Sequence, residues 1–241
     1  MQLSHDAVDI WIVDLLASSE AVERDYALLR DDERGRADRF RFPRDRRRFV
    51  IARAALRRIL AAYMETDAQH VAFEYSAHGK PKLAASENDI RENDIRFNTS
   101  HSHEKALVAC SRGREVGIDI EWIRQDLEVD NLSDRFFSTG ENEKLSAIPP
   151  DRRHLAFLRC WTCKEAYVKA VGKGLSLDLK SFDVSVALRD PAEWSSGIEK
   201  FAVNGWSMLV LKPEVENYIA ALVVEQGEVN ARVHSWLSSL D

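Results

Sequence analysis

Two acidic residues in an apolar segment, Asp119 and Glu121, have a spacing that could hold a cation. The segment reads Gly117-Ile118-Asp119-Ile120-Glu121. In a β-strand alternate side chains share a face, so both carboxylates would lie opposite Ile118 and Ile120, with their Cα atoms about 7 Å apart. Such carboxylates repel each other unless water screens them or a cation lies between them. The pattern indicates either an exposed edge strand or a Mg²⁺ site, because Mg²⁺ binds one or two carboxylates together with substrate phosphates.

A third carboxylate, Glu165, lies in the segment WTCKEAYVKAVGKGL, which predicts a helix followed by a glycine-rich turn. Lys169 is four residues further on, the spacing of a common surface ion pair, which is worth only about 0.3–0.5 kcal/mol. Gly172 and Gly174 permit both a helix C-terminus and the close approach of a ligand to the backbone. Alone, this segment indicates either a solvated helix face or part of a ligand site.

Two further features could bind an anion. The polar run NTSHS at residues 98–102 precedes an apolar segment, and we expect a loop whose hydroxyls, imidazole and backbone N–H groups could bind phosphate oxygens. An ordinary polar turn is the alternative. Residues 34–58 are strongly basic, which is typical of a solvated helix face or of a pocket for a phosphate ester. Lys80 is at the tip of a turn at residues 78–81.

The elements that would position these residues follow from hydrophobic periodicity and from turn signals. Strands are predicted at 8–16, 70–75, 107–110, 116–120, 182–188, 206–212 and 218–224, with a β-hairpin joining the pair at 107–110 and 116–120. Helices are predicted at 18–30, 31–40, 44–63, 132–137, 138–147 and 152–171. The tandem ENDIR repeat at 87–96 predicts an exposed loop.

The order of strand, long helix and further strands occurs twice along the chain. We therefore predict an α+β fold made of two similar α/β subdomains, residues 1–116 and 117–241. No Gly-, Ser- or Pro-rich linker separates the two parts, so they should pack tightly.

Composition narrows the classes of function. The chain has 241 residues and a formal net charge of −6, which does not favour a nucleic-acid-binding protein. No apolar run approaches the ~20 residues of a membrane span, and the N-terminus lacks the basic region of a secretory signal. Three cysteines predict a reducing compartment, so a cytoplasmic location is expected. Cys160 and Cys163 are interpreted as buried small apolar residues rather than redox or metal ligands.

Taken together and in this order, the motifs resemble those of the 4'-phosphopantetheinyl transferases, in the larger pseudodimeric type named for the enzyme that activates surfactin synthetase. The motifs are N-x-S-H-S at 98–102, G-I-D-I-E at 117–121 and W-x-x-K-E-A-x-x-K-x-x-G-x-G-L at 161–175. The resemblance spans about Arg36 to Val186. It implies transfer of the phosphopantetheine arm of coenzyme A to a serine of an acyl or peptidyl carrier protein, with release of adenosine 3',5'-bisphosphate. It also implies that the active site lies at the interface of the two subdomains.

The resemblance also implies roles for individual residues. Asp119, Glu121 and Glu165 would hold Mg²⁺ with the coenzyme A diphosphate, and either Glu165 or Glu121, or a metal-bound water, would take the serine proton. Coenzyme A would be bound by Lys169, Lys80, Ser100, His101, Arg48 and Arg53, with Arg36 as a weaker candidate. Lys169 would also neutralise charge during transfer, and His101, counted with the catalytic residues, would position the nucleotide. Phe49 occupies a position at which a relative carries a residue with a side-chain hydroxyl group.

The carrier would dock near Arg135, Phe136 and Phe137, unless the two phenylalanines belong to the core. A monomer is expected, with neither a nucleic acid nor a membrane as partner. The alternative function is a non-catalytic module that binds coenzyme A or a nucleotide. Such a module would be expected to have a damaged acidic triad, whereas all three carboxylates are present.

Overall fold

The computed structural model describes residues 1–84, 94–124, 127–194, 197–211, 217–225 and 227–236. Most of the ENDIR repeat lies outside these residues. The helices are α1 (Ser19–Leu28), α2 (Asp31–Ala37), α3 (Pro43–Met64), α4 (Val129–Phe136), α5 (Thr139–Ser146) and α6 (Pro150–Val171). The strands are β1 (Ala7–Asp14), β2 (Phe73–Tyr75), β3 (Pro81–Leu83), β4 (Ile95–Ser102), β5 (Lys105–Arg112), β6 (Val116–Trp122), β7 (Glu199–Val203), β8 (Trp206–Leu211), β9 (Tyr218–Glu225) and β10 (Asn230–Trp236).

The two long helices, α3 and α6, begin and end in the same way. Each has 22 residues and begins with a proline, which costs no hydrogen bond in the first turn. Each ends at a residue in the left-handed conformation, Glu65 after α3 and Gly172 after α6. The shorter helices α1 and α5 begin after Ser18 and Ser138, whose side chains accept hydrogen bonds from the first turn. The predicted helices are therefore confirmed, with small changes at their ends.

The strands form one sheet in each half of the chain. The sheet of the N-terminal half has the order β10-β1-β5-β4, that of the C-terminal half has the order β6-β9-β8-β7, and β2 pairs only with β3 among the described strands. β10 is parallel to β1, so the last described strand completes the sheet of the N-terminal half. The N-terminal half below means β1 to β5 with α1 to α3, and the C-terminal half means β6 to β9 with α4 to α6.

The sheets pack against each other, and each carries a long helix on its outer face. Apolar side chains of β1, β5, β6, β8 and β9 form a common core between the sheets, including Ile10, Leu107, Ile118 and Leu222. A second core lies under α3 and a third under α6. The predicted α+β fold of two similar parts is confirmed.

Three sequence predictions about local structure are wrong. The strands at 107–110 and 116–120 do not form a hairpin, because β5 pairs with β1 and β4 whereas β6 pairs with β9. Residues 98–102 are part of β4 rather than a loop, since their backbone pairs with β5. Residues 182–188 form no strand, and their short 3₁₀ turn at Ser185–Ala187 packs against α6 and α5 instead.

No helix of the described residues is long and apolar enough to cross a membrane.

Candidate active site

The site lies where β4 of the N-terminal half meets β6 of the C-terminal half. Alternate side chains of β4 bond to β6, because residues two apart on a strand share a face. Asn98 accepts a hydrogen bond from Ile118 N (3.0 Å), and Ser100 Oγ donates to Asp119 Oδ1 (2.7 Å). One step further, Ser102 Oγ donates to Glu121 Oε2 (3.1 Å). These bonds fix both carboxylates of β6 from the other half of the chain.

Gly117 brings β6 unusually close to α6. A Cβ atom at this position would lie 2.1 Å from the Ala166 carbonyl oxygen and 2.3 Å from Ala170 N, distances that no side chain can occupy. The residues just before these two contacts are Glu165 and Lys169, so the close approach places both of them beside the β6 carboxylates. Glycine is required here because a side chain has no space, and not because of its backbone conformation, since its φ angle is not positive.

Lys169 bonds to residues of β4 and β6 and not to Glu165, one turn earlier on α6. Its ammonium donates to Asp119 Oδ1 (2.7 Å) and to Ser100 Oγ (2.8 Å). No ion pair joins Lys169 to Glu165 among the described residues, so the interpretation of this spacing as a simple surface pair is wrong. The arrangement links residues of β4, β6 and α6 around one carboxylate.

The negative charge of the site is only partly balanced. Burial, and then the charge of Asp119, raise the pKa of both Glu121 and Glu165 above the ordinary value. The second oxygen of Asp119, Oδ2, is buried without a hydrogen-bond partner among the described atoms. A buried unpaired carboxylate oxygen is costly, so the site would be stabilised by a further cation or proton donor.

The described residues contain no set of three His, Cys, Asp or Glu side chains already arranged around a metal position. The chemistry of the donors nevertheless fits a hard divalent cation, because Asp119, Glu121 and Glu165 offer only carboxylate oxygens. The unpartnered Asp119 Oδ2 and the raised pKa values of the two glutamates indicate the same need.

Asp119, Glu121 and Glu165 are called the carboxylate cluster below. Two cavities share Lys169 in their lining, and each contains part of this cluster. One has a volume of about 470 Å³ and contains Arg36, Phe49, Tyr75 and His101 together with Asp119, Glu121 and Lys169; we call it the basic cavity. The other has a volume of about 510 Å³ and is more apolar, with Phe136, Val168, Gly172, Gly174 and Leu177 beside Glu165 and Lys169; we call it the apolar cavity. A long ligand could therefore place an anionic part and an apolar part on opposite sides of the carboxylates.

His101 is on the opposite side of β4 from Ser100 and faces the basic cavity. Although the residue is exposed, partial desolvation by the surrounding protein lowers the pKa of the imidazole, and the charges of Lys169, Arg48 and Arg36 lower it further. The local excess of positive charge would favour an anionic ligand.

The predicted coenzyme-binding cations differ in how fully they are engaged. Arg48 donates to Glu104 at 2.8 Å. Arg53 is paired with Glu33 and lies 3.9 Å from the centre of the Phe73 ring. Within the described residues, Arg36 has no carboxylate partner and its guanidinium lies 5.1 Å from the centre of the Phe49 ring. Arg36 is thus the most available of these arginines.

Lys80 is held by three acceptors of the protein itself. Its ammonium donates to Glu115 Oε2 (2.7 Å), to the Val116 carbonyl (3.3 Å) and to the Ala170 carbonyl (3.1 Å). These bonds join the turn at 78–81 to the start of β6 and to the end of α6. In this structure Lys80 holds together two walls of the apolar cavity.

Of the predicted carrier-docking residues, Phe137 belongs to the core, because it is 1% exposed and stacks on Phe157. Phe136 and Arg135 line the apolar cavity, with the guanidinium over the Phe136 ring. Cys160 and Cys163 are buried and unbridged, and burial raises the pKa of the Cys160 thiol well above its ordinary value, as expected of packing residues.

Sequence reasoning missed two groups that shape the site. Glu104 gave no signal, because its partners Arg47 and Arg48 are more than fifty residues away. Lys164, next to Glu165, is fully buried and bonds to Glu141 Oε1 at 2.7 Å; a lysine inside the apolar run of a helix could have indicated it. Lys164 fixes α6 against α5.

Both halves of the chain match models of one family. Residues 115–223 match the model described as the 4'-phosphopantetheinyl transferase superfamily, and residues 17–113 match the model described as 4'-phosphopantetheinyl transferase, N-terminal. The chain belongs to the 4'-phosphopantetheinyl transferase superfamily. The predicted resemblance is thereby confirmed, and the range 17–113 contributes β4 to the site whereas the range 115–223 contributes β6.

Individual relatives agree with this assignment. The chain is 36% identical over 224 residues to the 4'-phosphopantetheinyl transferase HetI of Nostoc sp., covering 93% of this chain and 90% of HetI. It is 32% identical over 168 residues to the 4'-phosphopantetheinyl transferase Sfp of Bacillus subtilis, covering 69% and 70% of the two chains. The L-aminoadipate-semialdehyde dehydrogenase-phosphopantetheinyl transferase of Homo sapiens is 30% identical over 165 residues, covering 65% of this chain and 53% of that protein.

Proposed function

We propose that the chain transfers the 4'-phosphopantetheine group of coenzyme A to a serine of an acyl or peptidyl carrier protein and releases adenosine 3',5'-bisphosphate. The observation that carries the proposal is the carboxylate cluster at the contact of β4 and β6. There Asp119 Oδ1 accepts hydrogen bonds from Lys169 and Ser100, and its buried Oδ2 has no partner among the described atoms. Burial and then the charge of Asp119 raise the pKa of both Glu121 and Glu165. Family membership supports the reaction class.

The reaction is an attack by the carrier serine oxygen on the phosphorus that bears the pantetheine arm. A new P–O bond forms to serine, and the P–O bond to the 5'-phosphate of the nucleotide breaks. Most of the catalysis of such a transfer comes from positioning and from neutralising charge. Lys169, which donates to Asp119 and Ser100, lies where it could also stabilise negative charge on the diphosphate.

A bound Mg²⁺, held by Asp119, Glu121 and Glu165, would neutralise charge on the diphosphate oxygens. We propose Glu165 as the group that accepts the serine proton. Its carboxylate accepts no hydrogen bond among the described residues, whereas Glu121 accepts one from Ser102. The raised pKa of Glu165 brings its basicity closer to what proton removal near neutral pH requires.

The two cavities suggest how coenzyme A lies. We propose that its nucleotide phosphates occupy the basic cavity beside His101, Arg36 and Arg48, and that the pantetheine arm occupies the apolar cavity. Ser100 would contact the diphosphate from β4. Arg53 and Lys80 remain candidates for coenzyme contact, although both are engaged by carboxylates in this structure. The enzyme is proposed to act as a cytoplasmic monomer on its carrier partners.

Transfer is tested by incubating the protein with an apo-carrier protein, coenzyme A and Mg²⁺, and by measuring the mass of the carrier. We expect the carrier to gain one phosphopantetheine group, and to gain none when Mg²⁺ is replaced by a chelator. A panel of fatty-acid, polyketide and peptide-synthetase carriers identifies the preferred client. If no carrier changes mass while the protein still binds coenzyme A, the alternative of a non-catalytic binding module is correct.

A further inference from the structure

Glu104, in the turn between β4 and β5, neutralises the arginines at the start of α3. Arg48 donates to its carboxylate through Nη2 (2.8 Å) and Nε (3.4 Å), and Arg47 approaches the same carboxylate at 3.4 Å. The backbone N–H of Glu104 donates to the hydroxyl of Tyr218 (3.3 Å), a residue of β9. Glu104 is thus held in place from both halves of the chain.

Arg48 lies near the basic cavity, because Glu104, to which it donates, follows two residues after the end of β4, the strand that carries His101 of this cavity. The charge of Arg48 acts on His101 together with that of Arg36, so an anion at His101 would lie within reach of the field of both guanidiniums. The hydrogen bond from Arg48 lowers the pKa of Glu104, so its carboxylate is ionised at neutral pH. Arg36 has no carboxylate partner in the described chain, whereas the charge of Arg48 is already compensated.

We propose that Glu104 weakens the binding of phosphate groups in the basic cavity by competing with them for Arg48. A phosphate must displace the carboxylate, or bind a guanidinium whose positive charge is already balanced, and either costs affinity. The inference rests on the proposed function, which identifies the anion as a phosphate of coenzyme A. The product adenosine 3',5'-bisphosphate carries the same nucleotide phosphates, so such competition would also speed its release.

The test is the affinity of the Glu104→Gln variant for adenosine 3',5'-bisphosphate, measured by isothermal titration calorimetry. Glutamine keeps the size of the side chain and removes its charge. We expect the Kd to fall about fivefold at low salt, in line with the strength of a partly exposed ion pair. The gain should shrink at higher ionic strength, where such charges are screened.

Three controls isolate the proposed competition. Glu104→Asp keeps the charge and should bind the bisphosphate nearly as weakly as the unmodified protein. Glu74→Gln removes an exposed carboxylate paired with Lys82 on the small β2–β3 sheet, changes the net charge equally and should leave the Kd unchanged. In an Arg48→Gln background, Glu104→Gln should gain clearly less affinity, because coupled residues are not additive.

An unchanged or higher Kd for Glu104→Gln would overturn the inference, since it would mean that Glu104 orients Arg48 for the phosphate or has no influence on it. Failure of the unmodified protein to modify any carrier would overturn the proposed function, and this inference with it. A protein that modifies a carrier but whose Kd does not respond to Glu104→Gln would contradict only the role of Glu104.

Discussion

Each half of the molecule contains a buried aspartate on the strand that faces its long helix, but only one of the two is fully satisfied. In the N-terminal half, Asp9 of β1 accepts hydrogen bonds from Arg232 (2.6 and 3.0 Å) and from Tyr63, and His234 lies at 3.1 Å. In the C-terminal half, Asp119 of β6 uses one oxygen for Lys169 and Ser100 and leaves the other without a partner.

The frameworks around the two aspartates are nevertheless alike. In α3 the buried Arg57 bonds to Glu33 of α2 at 2.7 Å, and at the same position of α6 the buried Lys164 bonds to Glu141 of α5 at 2.7 Å. Both glutamates also accept the backbone N–H of the residue that precedes their short helix. The comparison teaches that an equivalent buried ion pair supports each half, and it agrees with the proposal that transfer depends on the incomplete surroundings of Asp119.

The largest expected effect is that of Asp119→Asn on transfer. Removing this charge takes away a proposed metal ligand and the partner of Lys169, so kcat/KM should fall by about a thousandfold or more. The thermal unfolding midpoint should change little, because loss of the ion pair with Lys169 is offset by loss of the charge that repels Glu121 and Glu165. Activity close to that of the unmodified protein would remove Asp119 from the site.

The matching change in the N-terminal half, Asp9→Asn, should lower the free energy of unfolding rather than the rate of transfer. Burial alone would raise the pKa of Asp9, but hydrogen bonds from Arg232, Tyr63 and His234 outweigh it and lower the pKa below the ordinary value. The ionised form therefore stabilises the fold above the unfolded-state pKa, and this contribution is lost as the pH falls through the folded-state pKa. Denaturant unfolding at neutral pH should show a loss of about 3 kcal/mol.

The difference between Asp9→Asn and the unmodified protein should narrow in acid. Transfer per folded molecule should be preserved, because Asp9 lies outside the carboxylate cluster. A catalytic defect in fully folded Asp9→Asn protein would contradict the claim that Asp9 acts on stability and Asp119 on transfer.

A smaller effect is expected from Gly117→Ala. The added methyl group would lie 2.1 Å from the Ala166 carbonyl, so β6 and α6 must separate, at a cost of about 1–3 kcal/mol, with transfer lowered by the displaced Glu165. Gly35→Ala in α2 is the control, since nothing lies within 4 Å of its Cβ position and alanine favours helix. Equal unfolding free energies for the two variants would contradict the proposed close packing.

The smallest expected effect is a gain of about 0.5–1 kcal/mol in stability for Glu165→Gln at neutral pH in the absence of divalent cations. Burial and then Asp119 raise the pKa of Glu165, so its ionisation destabilises the fold as the pH rises through the unfolded-state pKa toward the folded-state pKa. The gain should vanish at pH values below that range. Thermal unfolding at several pH values checks the sign, and a gain that grows in acid would contradict it.

The local parts of this structure could be predicted from the sequence, and the long-range parts could not. α3 and α6 follow from hydrophobic periodicity, whereas the left-handed conformation of Glu65 at the end of α3 could not be predicted. The three carboxylates were predicted from motifs. The pairing of β6 with β9 in place of β5 depends on contacts about a hundred residues apart, which no local pattern reports. The subdomain boundary at 116 and 117 remains a prediction.

The carboxylate partners of the basic residues could not be predicted from the sequence either. Arg48 meets Glu104 and Lys80 meets Glu115 only because β4, β6 and the long helices are brought together by the fold. The family resemblance implies that both residues bind coenzyme A, and this remains a prediction. Sequence patterns could not indicate which cations are already neutralised, which is what sets their availability to a ligand.

The central claim is that transfer depends on the incomplete carboxylate cluster of the C-terminal half and not on its closed counterpart. The most direct measurement is the mass of an apo-carrier protein after incubation with coenzyme A, Mg²⁺ and equal amounts of the folded unmodified protein, Asp9→Asn or Asp119→Asn. We predict one added phosphopantetheine group with the first two proteins and none with Asp119→Asn. A carrier modified equally by all three, or by none of them, would contradict the account.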